Sequence, residues 1–272
     1  MPIPETAAEP RPAGTTPSGR FAQFGLLTLA LSWLPWAALG VAGVDVGTGA
    51  GQLVFGLAAS GPSLAALIMW LRFRRERRRP TTITWYGIVA GLVLGAVAPV
   101  VAALVLAGGD PTVLGWHAVT VTASVGGPLA VLAYTMVAGP LAEEFGWRGW
   151  LQPRLRRRCS RTLTAVVLGT AWAVWHLPLF LLPGTGQHQT GLVSLGAAAF
   201  FVSMIPFSYV IIYATERLRG GVWAAVAAHA GFNAAGALFP AAGDLAAMIE
   251  LGVMIILAAV AHALGQASNK SS

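Results

Sequence analysis

The sequence predicts an all-α fold, a polytopic membrane helix bundle of about eight transmembrane helices with both termini in the cytoplasm. Three observations predict it. The chain of 272 residues is 56% hydrophobic and only 10% charged, whereas a soluble domain carries roughly 25% charged residues. Its apolar residues come in long runs, each able to cross about 30 Å of hydrocarbon as a helix that satisfies its own backbone hydrogen bonds. Its basic residues fall in alternate gaps between those runs.

The elements follow in order. Residues 1–20, rich in Pro, Gly, Thr and Ala and without periodicity, read as a disordered cytoplasmic tail. They do not form a signal peptide, because the apolar run behind them is longer than an h-region and no cleavage site ends it. That run, 22–43, is the first span and stops before Asp45; the second, 51–71, stops at the basic run 72–79. The third, 84–108, begins beyond that run and ends before Asp110; the fourth, 118–142, leads into "GPLAEEFGWRGWLQPRLRRR". The fifth, 162–183, follows Arg161 and ends before His188; the sixth, 191–214, ends before Arg217 and Arg219. The seventh, 221–240, ends before Asp244, and the eighth, 246–264, precedes Lys270. Lys and Arg thus occupy the tail, the gaps after spans two, four and six, and the C-terminus, with Arg148 alone at the edge of a span. Alternation of this kind is the positive-inside pattern. Residues 21–266 form a single transmembrane bundle, with its motif-bearing core at about 118–240.

The net charge of +7 does not point to nucleic acid, because the basic residues are orientation signals flanking spans. The partners implied are the lipid bilayer and no nucleic acid, and the localisation is a multi-pass protein of the cell membrane. The single cysteine, Cys159, can form neither an internal disulfide nor a Cys-based metal site. The tryptophans at 33, 36, 70, 85, 116, 147, 150 and 223 suit interfacial belts.

Ionisable residues inside spans are costly and mark function. Three groups stand out: Glu143, Glu144 and Arg148; His176 in "AWAVWHLPLF"; and His229 with Asn233 in "AAHAGFNAAG". If span four continues as one helix, Glu144 and Arg148 share a face and pair, while Glu143 lies about 100° round and points elsewhere. His229 and Asn233 also share a face. Pro178 weakens the helix beside His176 and leaves carbonyls near it. His176 and His229 lie roughly 21 and 12 Å along their spans from the basic end. His117, His188 and His262 read as structural. A carboxylate and a histidine can activate a water as general bases, with a second histidine and an amide donating to an oxyanion. Alternatively, a carboxylate and two imidazoles can hold a divalent metal such as zinc. Both routes hydrolyse an acyl bond. Each motif alone also has a plain structural use, as a salt-bridged helix end or as polar glue between helices.

In this order the three motifs resemble the CPBP family, the CAAX-protease and bacteriocin-processing intramembrane proteases, whose pattern is E-E-x-x-x-R, F-x-x-x-H and H-x-x-x-N on successive core helices. The first is Glu143-Glu144-Phe145-Gly146-Trp147-Arg148; the second is Trp172 to His176, with Trp where the family usually has Phe; the third is His229 to Asn233. The resemblance implies an intramembrane endopeptidase that cuts a peptide or protein substrate, membrane-anchored in some members, near the cytoplasmic face. It implies that Glu143 and His176 activate the water, that His229 and Asn233 stabilise the oxyanion, and that Glu144 and Arg148 support them. A metal, where one is used, would rest on Glu143, His176 and His229. The same resemblance admits a non-proteolytic immunity factor or membrane scaffold. A small transporter is the alternative from another class, though the sequence shows none of the internal repeats expected of one. No G-x-S-x-G, H-E-x-x-H or G-x-G-D is present for other intramembrane protease classes.

Overall fold

The structure, a computed structural model, describes residues 17–73, 82–137, 139–239 and 241–270. It is helical throughout the described residues. The tail expectation for residues 1–16 and the basic positions 74–79 lie outside them. Helix α1 (Pro17–Val41) begins inside the stretch expected to be tail. Helices α2 (Gly49–Ala59) and α3 (Gly61–Arg72) form the second hydrophobic segment, bent by 42° at Ser60. Ser32 of α1 satisfies the break by donating to the carbonyl of Ala58, at 2.8 Å. Helix α4 (Trp85–Leu106) is the third segment.

The fourth segment is not one helix running into the motif. It is α5 (Pro111–Ser124) and α6 (Pro128–Val137), and α7 (Pro140–Glu144) carries the glutamates. Gly126 (φ +95°) and Gly127 (φ +105°) break the chain before Pro128, and Gly139 (φ +134°) breaks it before Pro140. Glycine adopts such φ values freely, and proline cannot donate into the preceding turn. From Phe145–Leu151 the helix widens to a π turn, in which Gln152 N–H donates to Trp147 O, and α8 (Gln152–Leu155) follows.

Helix α9 (Arg161–Trp175) ends in a 3₁₀ turn, Leu177–Leu181. The short α10 (Gly186–Thr190) leads to α11 (Leu195–Glu216), α12 (Gly221–Leu238) and α13 (Asp244–Lys270). Among the described residues five helices are long and apolar enough to cross a membrane, and up to seven spans result if each bent pair counts as one. The seventh hydrophobic segment, expected as a span, forms the 18-residue α12 and is not among these five.

The ends of the bundle sort by charge. At one end Arg20 lies over Phe73, and Arg158 over Phe21. There Arg156 and Arg161 pair with Glu216, and Arg217 donates to Gly265 O. At the other end Val46 N–H bonds to Pro183 O, and Gly196 N–H to Asp244. The alternation in sequence is therefore an alternation in space, and the chain is a multi-pass membrane protein.

Packing uses small residues, as expected where apolar burial does not drive helices together. Gly87, Gly91 and Gly95 lie on one face of α4, one turn apart. A Cβ on each would meet the Leu218 carbonyl, the Ala224 carbonyl and the Ala228 carbonyl in turn. Gly231 of α12 answers against the Leu92 carbonyl. This close approach fixes α12, and with it His229 and Asn233. On the other side of the bundle the contact is aromatic. Phe24 stacks on Trp150 at 4.5 Å, and Trp36 meets Trp175 at 4.9 Å. Trp36, Trp147 and Trp150 are 0%, 3% and 4% exposed, so these tryptophans join α1 to the π turn and α9 instead of forming a belt. Trp70, Trp85, Trp116 and Trp223 are exposed, as belt residues are.

Candidate active site

The three motifs converge. Glu143 and Glu144 are consecutive, so they leave the helix on different faces. Both are buried. Glu144 Oε1 accepts from Arg148 at 3.0 Å and from His229 Nδ1 at 3.0 Å. The ion pair is fully buried and spans four residues, the spacing expected, although the π turn begins between the partners. Arg148 donates onward to Ser208 Oγ of α11 at 3.0 Å, and its guanidinium lies 4.3 Å from the Trp172 ring centroid. The second oxygen of Glu144, Oε2, is buried and has no hydrogen-bond partner among the described residues. A buried carboxylate oxygen calls for a donor.

Glu143 faces the other way. Its Oε2 accepts the Trp172 indole N–H at 2.7 Å. Its Oε1 points toward Gly139. A Cβ built on Gly139 would lie 3.3 Å from Glu143 Oε1, 3.3 Å from His229 Nε2 and 3.3 Å from Asn233 Nδ2. One point beside the Gly139 backbone is thus at near hydrogen-bonding distance from an acceptor, an imidazole nitrogen and an amide nitrogen. That is the geometry needed around a polarised water or an oxyanion. The space exists because residue 139 has no side chain. Gly139 is a site residue that the sequence analysis missed; the only sign of it was a glycine before proline at the head of the E-E motif.

His176 ends α9 as its C-cap. Its Nδ1 is 2.8 Å from the Trp172 carbonyl. A carbonyl can only accept, so Nδ1 carries the proton and the neutral ring keeps its lone pair on Nε2. The ring packs between Trp175 at 4.8 Å and Phe200 at 5.3 Å. Trp172 lies between the two histidines, 5.7 Å from the His176 ring and 5.2 Å from the His229 ring. Glu143, His229 and Asn233 therefore meet at one point, and His176 joins them through Trp172.

The structure does not gather the expected metal set, Glu143, His176 and His229, into one cluster: among the described residues no three His, Cys, Asp or Glu side chains stand together as ligands for a metal ion. Of the other histidines, His262 bonds Tyr209 OH at 2.9 Å, and His188 contacts Phe180 O at 3.2 Å.

Comparison with known proteins agrees with the ordered motifs. Residues 125–235 match the family model described as type II CAAX prenyl endopeptidase Rce1-like. The match contains all six site residues from the sequence analysis and lies inside the motif-bearing core. A curated relative, CAAX prenyl protease 2 of Methanococcus maripaludis, is 29% identical over 118 residues, 43% of each chain. The chain thus matches less than half the length of that relative.

Proposed function

We propose that this chain, whose residues 125–235 belong to the Rce1-like CAAX endopeptidase family, is an intramembrane endopeptidase that hydrolyses a peptide bond through a protein-activated water. The carrying observation is the convergence of Glu143 Oε1, His229 Nε2 and Asn233 Nδ2 on one point beside Gly139. Glu143 Oε1 takes the proton of a water as it attacks the scissile carbonyl. The Trp172 N–H on Oε2 fixes which oxygen does so. His176 Nε2, with Nδ1 committed to the Trp172 carbonyl, is the second base. His229, carrying both ring protons, donates Nδ1–H to Glu144 and Nε2–H to the developing oxyanion, and the Asn233 amide donates beside it. Glu144 and Arg148 hold His229 in that orientation. The proton on Glu143 then passes to the leaving amine. The bundle end that gathers Arg residues faces the cytoplasm, and the substrate is a peptide or protein.

The test is cleavage of a quenched fluorescent peptide library by detergent-purified protein. Glu143→Gln abolishes turnover, and His229→Ala and Asn233→Ala each lower it about a hundredfold or more. Turnover by Glu143→Gln equal to wild type overturns the site. Elemental analysis of the active protein, with turnover before and after chelation, tests the metal-free reading. An immunity, scaffold or transport role instead leaves the cellular phenotype intact in Glu143→Gln.

A further inference from the structure

Trp172 touches Glu143, Arg148, His176 and His229, each through a different part of the residue. Its indole N–H donates to Glu143 Oε2 at 2.7 Å, shorter than the 3.0 Å bonds that Glu144 makes to Arg148 and His229. Its ring lies under the Arg148 guanidinium at 4.3 Å. Its backbone carbonyl accepts from His176 Nδ1 at 2.8 Å. The ring edge faces His229 at 5.2 Å. Phe207 stacks on it at 5.9 Å, and it is 1% exposed, so its orientation is set by packing. Only the first of these contacts needs an indole; a phenyl ring can offer a face to a guanidinium, and any residue has a carbonyl.

We infer that Trp172 is a positioning residue, whose indole N–H clamps one oxygen of Glu143 so that the other is presented to the point shared by Gly139, His229 and Asn233. This inference rests on the proposed hydrolytic site. A carboxylate on two rotatable bonds beyond its Cβ can turn either oxygen into the site or away from it. A charge-assisted bond of this length removes that freedom. It also restrains Glu143 from the neighbouring Arg148, which would otherwise draw both glutamates to one side. Glu143 is left aimed and Glu144 is left paired, so the two consecutive carboxylates keep separate tasks.

The experiment replaces the donor and keeps the shape. Trp172→Phe removes the N–H together with one ring. A second variant carries β-(3-benzothienyl)alanine at position 172, introduced by codon suppression, which substitutes sulfur for the N–H within a bicycle of the same outline. Both are assayed in the full chain for kcat and KM on a cleaved peptide, beside Glu143→Gln. The expected result is a fall in kcat of about tenfold or more in both variants, with KM and thermal stability of the benzothienyl protein unchanged. A benzothienyl variant with wild-type kcat overturns the clamp, even if Trp172→Phe is impaired by lost packing. A benzothienyl variant that raises KM or unfolds early, with kcat unchanged, also overturns it. If Glu143→Gln retains turnover, the hydrolytic site itself fails, which the clamp variants alone would not reveal.

Discussion

At the scale of single residues, the site is a set of polar groups, most of them buried. Glu144 and Arg148 have no exposed side-chain surface. Removing one member of such a pair strands the other. Glu144→Ala should therefore destabilise the protein by about 3–5 kcal/mol, read as an earlier thermal transition in detergent. It should also release His229 and lower turnover. Ser208→Ala removes an uncharged partner of Arg148 and should cost less, about 1–3 kcal/mol; an equal loss in the two variants would contradict this ordering. Gly139→Ala has two faults: φ of +134° is strained for alanine, and the new methyl enters the point shared by Glu143, His229 and Asn233. It should abolish cleavage while the helical circular dichroism stays near that of wild type. Glu143, His176, His229 and Asn233 were legible in the sequence because an ionisable or amide group inside an apolar segment has few uses. Gly139 and Ser208 were not, since a glycine and a serine are ordinary in membrane helices and only a third dimension shows what they face.

At the scale of elements, the seam between α4 and α12 sets the depth of two site residues. Gly91→Val and Gly95→Val place side chains against the Ala224 and Ala228 backbone, one turn and one residue from His229. They should displace α12 and lower turnover sharply, whereas Gly25→Val in α1, which meets nothing within 4 Å, should not. Activity retained in Gly95→Val would show that the seam does not position the site. The loop-facing helix α5 offers a pH-sensitive contrast. Asp110 caps it, accepting from the Thr112 N–H and hydroxyl at 2.8 and 2.7 Å. The Thr112 hydroxyl, and then its N–H, hold the Asp110 carboxyl below its ordinary value. A depressed folded-state value means that the cap's support is present above the unfolded pKa of about 3.9. It is lost as pH falls through the lower folded value. Amide exchange at the start of α5 should speed up only on acidification below that window, and Asp110→Ala should exchange fast at every pH. Helix identity was readable from apolar runs. The breaks were not: Ser60, Gly126-Gly127 and Gly139 lie inside runs whose composition is continuous, and the π turn packs Gly146 against Pro62, a contact between segments distant in sequence.

At the scale of the whole molecule, orientation follows from charge. Arg20, Arg154, Arg156, Arg158, Arg161 and Arg217 meet at one end, with the start of α1 and the end of α13. The native Cys159 belongs to that end. In intact cells it should resist a membrane-impermeant maleimide, while a cysteine introduced as Gln189→Cys in a Cys159→Ser background should react. The reverse pattern would invert the orientation. The same end holds a cavity of about 2260 Å³ bounded by Leu141, Phe145, Arg148, Arg219 and the start of α12.

The sequence by itself determined the class of the molecule, because hydrocarbon length, backbone hydrogen bonding and charge asymmetry act on local composition. It also determined the chemical inventory of the site, because polar residues in apolar spans are few and their spacing within one turn is local. The tertiary structure alone decided which groups from distant segments each carboxylate meets. Glu143 and Glu144 are neighbours of the same type, and they differ in what surrounds them: Trp172 and the Gly139 backbone beside one, Arg148 and His229 beside the other. It also decided that Trp36, Trp147 and Trp150 belong to the core, since a tryptophan near a span end suits a lipid interface or an aromatic neighbour equally well until the helices are packed.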